Sequence, residues 1–379
     1  MTAGRLQLDR EAFLARYWQR EPLLIREAIP AFKPPLDAAE LAGLALEAGV
    51  ESRLIEYRDQ QWLLQHGPFT EADFNRDAPW TLLVQAVDHY VDEVAGLRRL
   101  VDFLPQWLMD DVMVSYAVDG GSVGPHYDNY DVFLLQGEGR RHWRVGQACD
   151  SRSALLPHRE LRILRDFDCQ QEFLLEPGDM LYLPPGQAHW GIAQGECTTF
   201  SIGLRAPRIN DLLSRWADQM LEGLAPDLFY RDRQIEPVSR AGEIRPRDLQ
   251  QVAERLRVTL ADLDRQGDNR WFGEVVTEPR YDVPVEDGEL ANQRALLAGG
   301  ACQVELDAAG RVAWQETSAG VAVFANGQAQ EFAATVLPWL VQLCGQWRLE
   351  GQALAAALAQ PDGSQLLDYL LTTGCIYVE

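Results

Sequence analysis

Lysine is almost missing from this chain: Lys33 is the only one, and every other basic side chain that is not histidine is an arginine. Most routes to Schiff-base or other lysine-based covalent chemistry are thereby removed. Cysteine is sparse as well. Cys149, Cys169, Cys197, Cys302, Cys344 and Cys375 lie far apart, with no CxxC pair and without the density of a secreted disulfide scaffold, so they are expected to be reduced and mostly buried. No apolar run approaches the roughly 18 residues of a membrane helix, and the opening MTAGRLQLDREAF lacks the apolar core of an export signal. A soluble, cytoplasmic protein with no membrane association is expected. Positive charge is also short: 34 Lys+Arg against 57 Asp+Glu leave a formal charge of −23. Such an excess repels phosphate, which argues against direct nucleic-acid binding and favours basic partners.

What is present is an ordinary globular composition, 47% hydrophobic and 24% charged over 379 residues, long enough for two or three domains. Residues 9–25 space Phe13, Leu14, Tyr17 and Trp18 at helical intervals, residues 38–48 read as a second helix, and residues 79–100 as a third before Pro105. From Asp111 to Arg205 the texture changes to short β-branched and aromatic runs (VMVSYAV, YDVFLLQ, RHWRV, EFLLEPGD, MLYLPP, TTFSIGL), which predict a sandwich or barrel. Beyond Pro207 two helices are expected, 209–224 and 246–266. They either pack on the barrel or serve self-association. A last α+β module follows the polar stretch 279–288, with an Asn326-Gly327 turn between VAVF and AQEF. The chain contains neither repeats nor low-complexity tracts.

The chemistry concentrates in two glycine-spaced motifs, Gly120-x5-His126-Tyr127-Asp128 and GDMLYLPPGQAHW from Gly178. Residues i and i+2 of a strand share a face, so His126 and Asp128 converge on one point, and His189 closes the set from another strand. Two imidazoles and one carboxylate leave coordination positions open for a chelating cosubstrate and dioxygen, the arrangement of a non-haem Fe(II) oxygenase. His66, His89, His142 and His158 lack a comparable setting and read as surface or structural. After the turn Gln136-Gly137-Glu138-Gly139, alternation puts Arg140, His142 and Arg144 on one face and Arg141, Trp143 and Val145 on the other. If the Trp143 face points inward, Arg141 carries a guanidinium into an apolar cavity and needs an anion there: the distal carboxylate of a small diacid, or a protein acid. Ser115, Thr199 and Ser201 are candidates to donate to the same diacid, or else packing residues.

His126-x-Asp128, GEGRRHW, LEPGDMLYLPPGQAHWG and the early FLARYWQREPLLI resemble the JmjC-type, cupin-fold 2-oxoglutarate oxygenases, with the closest match among the bacterial ribosomal oxygenases, arginine hydroxylases of a large-subunit ribosomal protein. The resemblance runs over nearly the whole chain. It implies a mainly β fold with α, a double-stranded β-helix (jelly roll) core with helical segments, divided into a catalytic domain at 1–207 with its helical lead-in, a helical dimerisation segment at 208–275, and a winged-helix-like module at 276–379. By position, the family's iron ligands fall on His126, Asp128 and His189, with one Fe(II) per chain. Its basic residue for the 2-oxoglutarate C5 carboxylate falls on Arg141; lysine is commoner there in the wider JmjC group, and arginine is typical of the bacterial ribosomal type. HxD in place of HxH, and Ala193 where cupins often carry an asparagine, disfavour the sugar-isomerase and storage-protein branches.

The implied reaction couples dioxygen and the oxidative decarboxylation of 2-oxoglutarate to succinate with formation of a 3-hydroxyarginine, on ribosomal protein sixteen of the 50S subunit. The implied partners are that basic protein and a second copy of the chain. Asp119, Tyr127 and Asp131 are candidate substrate contacts, or solvated loop residues. From Tyr281 onward 12 acids stand against 3 arginines, so the winged-helix-like module is assigned to scaffolding or substrate docking and not to DNA. Two other readings remain: a demethylase or hydroxylase of another protein side chain sharing the same iron site, and a non-catalytic cupin-like binding module.

Overall fold

Asp9 starts the first helix by accepting from the Ala12 amide at 3.0 Å, and the helix α1 (Arg10–Arg16) buries Phe13 against Phe133 and Tyr182. It ends sooner than the sequence pattern suggests. Gln19 turns the chain into the left-handed region at φ 55°, and Leu23–Ile25 (β1) leaves as an edge strand. A capping box of Asp37 and Glu40 opens α2 (Ala38–Leu44). The computed structural model describes residues 6–231, 235–237, 239–266, 270–281, 285–300 and 303–379, apart from the side chains of 264–266; Cys302 lies outside these.

The chain divides into two compact units, Met1–Ala206 and Pro207–Glu379. In the first, β2 (Ser52–Arg58), β3 (Gln61–His66) and β4 (Trp80–Val84) precede the short helix α3 (Asp92–Ala95). Then come β5 (Met109–Ala117), β6 (Asp131–Gln136), β7 (Arg140–Ala148), β8 (Gln171–Leu175), β9 (Met180–Leu183), β10 (Gln187–Gln194) and β11 (Cys197–Leu204). They form an eight-stranded sheet in the order β1-β9-β6-β11-β5-β4-β2-β3 and a three-stranded sheet β10-β7-β8, with every pairing antiparallel. Alternate residues of β6 decide the two faces: Phe133 and Leu135 join the core with Phe13, Leu41 and Phe200, while Val132 and Leu134 meet Trp143 and Val145 of the smaller sheet. This is the jelly-roll core, and its interior is the side that holds Trp143.

The helix expected over 79–100 is mostly absent. Trp80–Val84 is a fully buried strand between β2 and β5, followed by Ala86 at φ 50° and then by 3-10 turns around α3. An all-apolar run of five buried residues carries no periodicity that separates strand from helix, and the bonding edges of β2 and β5 decide the outcome. The strands β2 and β3, which extend the large sheet, are likewise additions to the sequence reading.

The second unit opens with α4 (Ile209–Glu222), α5 (Pro246–Gln266), α6 (Arg270–Thr277) and α7 (Asp287–Ala298). The strand β12 (Gln303–Leu306) follows, then the meander β13 (Val312–Glu316), β14 (Val321–Ala325) and β15 (Gln328–Phe332). Asn326 and Gly327 both take positive φ, 46° and 79°, as the tight turn between β14 and β15 requires. The last elements are α8 (Leu337–Gln346), β16 (Arg348–Glu350), α9 (Gly351–Leu358), α10 (Pro361–Thr372) and β17 (Ile376–Val378), with β12 paired between β16 and β17. Leu340, Leu343, Leu366, Leu367 and Leu370 bury the helices against Val321 and Val323. The five described cysteines are free thiols, of which Cys197 and Cys375 are buried. Among the described residues no helix is long and apolar enough to cross a membrane.

Candidate metal centre

The two motifs meet because their backbones pair. His126 and His189 form an isolated antiparallel bridge, His126 N–H donating to the His189 carbonyl at 3.0 Å and His189 N–H to that of His126 at 2.8 Å. The approach of Gly186 fixes the position of Asp128: its amide donates to the Asp128 carbonyl at 2.7 Å from a backbone at φ 78°, where a side chain would be strained. The ligand atoms of His126, Asp128 and His189 lie within 4.8 Å of one another. An Asp128 Oδ2 stands 3.6 Å from His189 Nε2 and 4.0 Å from His126 Nε2.

Both imidazoles are oriented alike. His126 Nδ1–H donates to the Gly124 carbonyl and His189 Nδ1–H to that of Gln187, each at 2.9 Å. With the proton held at Nδ1, each ring turns the lone pair of Nε2 towards the third ligand. Burial, followed by the adjacent His126, pushes the His189 imidazole down to about 4, so it is neutral at pH 7. A neutral His189, a second imidazole and a carboxylate beside it, and tautomers fixed from behind suit a divalent metal with open positions.

Deeper in the barrel the inward face of β7 carries Arg141 and Trp143, while His142 and Arg144 face out towards Glu172. Arg141 is only 4% exposed, and among the described residues no carboxylate pairs with it. Its Nε donates to Cys197 Sγ at 3.4 Å, and its carbon Cζ lies 5.8 Å from the Trp143 ring centre. Arg141 Nη2 and Trp143 Nε1 are both buried and without a hydrogen-bond partner. Orphaned buried donors of this kind are costly, the more so on a cation, and they fit a carboxylate ligand. Cys197, Thr199 and Ser201 share a face of β11, and Thr199 stands directly across from Ser115 and from Gln136. Through the Cys197 contact that face looks onto Arg141, so Ser115, Thr199 and Ser201 line the same interior. Gln136, fully buried, belongs to this row too, and Thr199 Oγ1 reaches its Oε1 at 3.4 Å.

The structure brings none of the three expected substrate contacts to the metal face. Tyr127, between two ligands that face inward, must point the other way; its hydroxyl donates to the Asp150 carbonyl at 2.8 Å and Arg162 lies over its ring. Asp131 falls on the core side of β6, accepting from Tyr182 Oη at 2.5 Å and Gln19 Nε2 at 3.0 Å, and burial raises its carboxyl. Asp119 is exposed and holds a turn by accepting from the Gly195 amide at 2.7 Å. The residue that sequence reasoning missed is Tyr130. It packs on the barrel interior and bonds to Asp128, and burial together with the charges of Asp128 and Asp111 pushes its phenol far up. Its spacing of two from Asp128 was the available signal.

Comparison with known proteins agrees with this geometry. The JmjC domain model matches residues 97–212, a ROXA-like winged helix model residues 260–377, and an AraC-like ligand binding domain model residues 168–267. The chain is 34% identical over 378 residues to the "Ribosomal protein uL16 3-hydroxylase" of Escherichia coli, spanning 99% of both chains. It is 35% identical over 290 residues to a Haemophilus influenzae protein called "Probable ribosomal oxygenase", covering 73% of this chain and 71% of that one. Among solved structures, the X-ray structure of E. coli ycfD superposes with a TM-score of 0.85 at 33% identity, and YcfD in complex with cobalt and 2-oxoglutarate with 0.83 at 33%; each covers 99% of both chains.

Proposed function

Because this chain belongs to the JmjC-domain ribosomal oxygenases, we propose that it is an Fe(II)- and 2-oxoglutarate-dependent hydroxylase that forms 3-hydroxyarginine on ribosomal protein uL16. The observation that carries this reading is the convergence of His126, Asp128 and His189 within 4.8 Å, with both Nδ1 protons tied to backbone carbonyls. Fe(II) held there, with 2-oxoglutarate and dioxygen, supplies the oxidising chemistry that places a hydroxyl on an unactivated C–H bond. The protein's part is to bind, orient and shield. His126, Asp128 and His189 hold one metal; Tyr130 donates to Asp128 and keeps its carboxylate in place. Arg141 grips the distal carboxylate of the cosubstrate, with Ser115, Thr199 and Ser201 as donors along the same wall. Val132, Leu134, Trp143 and Leu181 close the interior against bulk water.

The net charge of −23 steers a basic ribosomal protein towards the enzyme and away from nucleic acid, in the cytoplasm where such a substrate is made. Homodimerisation belongs to this reading as well. Leu213 and Leu221 of α4 and Leu249 and Leu256 of α5 are 56, 64, 62 and 57% exposed, an apolar content that a second copy would cover. The test is to incubate the Fe(II) protein with 2-oxoglutarate, dioxygen and intact uL16, then map mass changes. A +16 Da shift on an arginine is the expected result. Loss of 14 Da from a methylated side chain would favour a demethylase, and no change on uL16 would overturn the substrate.

A further inference from the structure

We propose that Cys197 is a positioning residue for the cosubstrate: its sulfur holds Arg141 Nε and turns the remaining edge of the guanidinium towards the distal carboxylate of 2-oxoglutarate. The inference rests on the cosubstrate reading above and deepens it. Cys197 and Arg141 lie 56 residues apart on β11 and β7, and the Nε–H···Sγ contact of 3.4 Å is the only hydrogen bond that Arg141 makes with another side chain among the described residues. Both are buried, at 1% and 4% exposure, and Nη2 is without a partner. Ala117 and Ala193, which pack against the thiol, offer Arg141 no polar side chain.

The chemistry of sulfur explains why this neighbour suits the site. A carboxylate beside Arg141 would orient the guanidinium but also neutralise it in a bidentate pair, closing the site to its ligand. A thiol is uncharged and a weak acceptor. It fixes the plane of the guanidinium through Nε and leaves the charge and the Nη donors for the diacid. With Trp143 lying against the same group, Arg141 is ordered before the cosubstrate arrives, so less side-chain freedom is lost on binding.

Anaerobic titration of the Fe(II) protein with 2-oxoglutarate tests this, read by the weak visible absorption that appears when the cosubstrate chelates the metal. Cys197→Ala is expected to raise the half-saturating concentration by about three- to tenfold, the worth of one modest hydrogen bond. Cys197→Ser, whose shorter C–O bond leaves its oxygen farther from Nε, falls between Ala and wild type and serves if the alanine variant folds poorly. The KM for the protein substrate stays where it is, since Cys197 acts only through Arg141. Half-saturation unchanged in a variant that folds would overturn the inference, as would an equal rise in both constants, which marks a general loosening of the barrel. A wild-type protein that shows no band at all defeats the cofactor reading itself, a failure distinct from these.

Discussion

A histidine that ligates a metal must present one nitrogen without its proton, and both histidines here settle that question through the same device, an Nδ1–H donated to a carbonyl two residues earlier. The backbone that places the ligands therefore also sets their tautomers. His126 and Asp128 were legible in the sequence because residues two apart on an extended chain face one side, although only His126 pairs, in an isolated bridge with His189. The same parity excludes Tyr127, and it splits the next stretch, with Tyr130 on the interior and Asp131 on the core side. Arg141 was legible as the charged residue on an otherwise apolar face, whereas its contact with Cys197 spans 56 positions and leaves no local trace. Replacing Arg141 with alanine is expected to raise the half-saturating 2-oxoglutarate concentration by roughly ten- to a hundredfold, the loss of a charged hydrogen-bonded pair. Steady-state kinetics varied in 2-oxoglutarate would show it, and a change below twofold would remove Arg141 from the cosubstrate site.

The strand β7 is the element on which the site is built, because it presents Arg141 and Trp143 to the interior while its cross-strand neighbour β10 carries His189. Gly191 stands opposite Trp143, and a Cβ on it would meet the indole ring at 2.8 Å. Gly191→Ala is therefore expected to displace the ring, at a cost of about 1–3 kcal/mol in stability from overpacking. Urea unfolding would register this as a lower midpoint. An unchanged midpoint would mean that the barrel yields there at no cost. Elements with strong local signals were readable: Asn326-Gly327 as a turn, and the amphipathic α4 and α5. Residues 80–84 were not, since a short, fully buried apolar run becomes a strand only through partners that the local sequence does not reveal.

At the scale of the molecule, charge and exposed apolar surface do separate work. The −23 charge acts at a distance and should make association with a basic substrate faster at low salt. The exposed leucines of α4 and α5, in the proposed dimer, act on contact. If the proposed dimer forms through them, the parent chain is expected to sediment as a dimer at micromolar concentration and a Leu213→Glu, Leu256→Glu double variant as a monomer; identical profiles would remove these helices from the association. The periodicity of α4 and α5 makes this apolar stripe visible in the sequence; what the pattern lacks is the partner that covers it. Every role assigned above depends on a single ferrous ion held among two imidazoles and one carboxylate. Metal analysis of protein loaded anaerobically with Fe(II) tests it most directly: one iron per chain in the parent and almost none in a His126→Ala, Asp128→Ala variant that still folds. Iron retained at full stoichiometry in that variant would contradict the account.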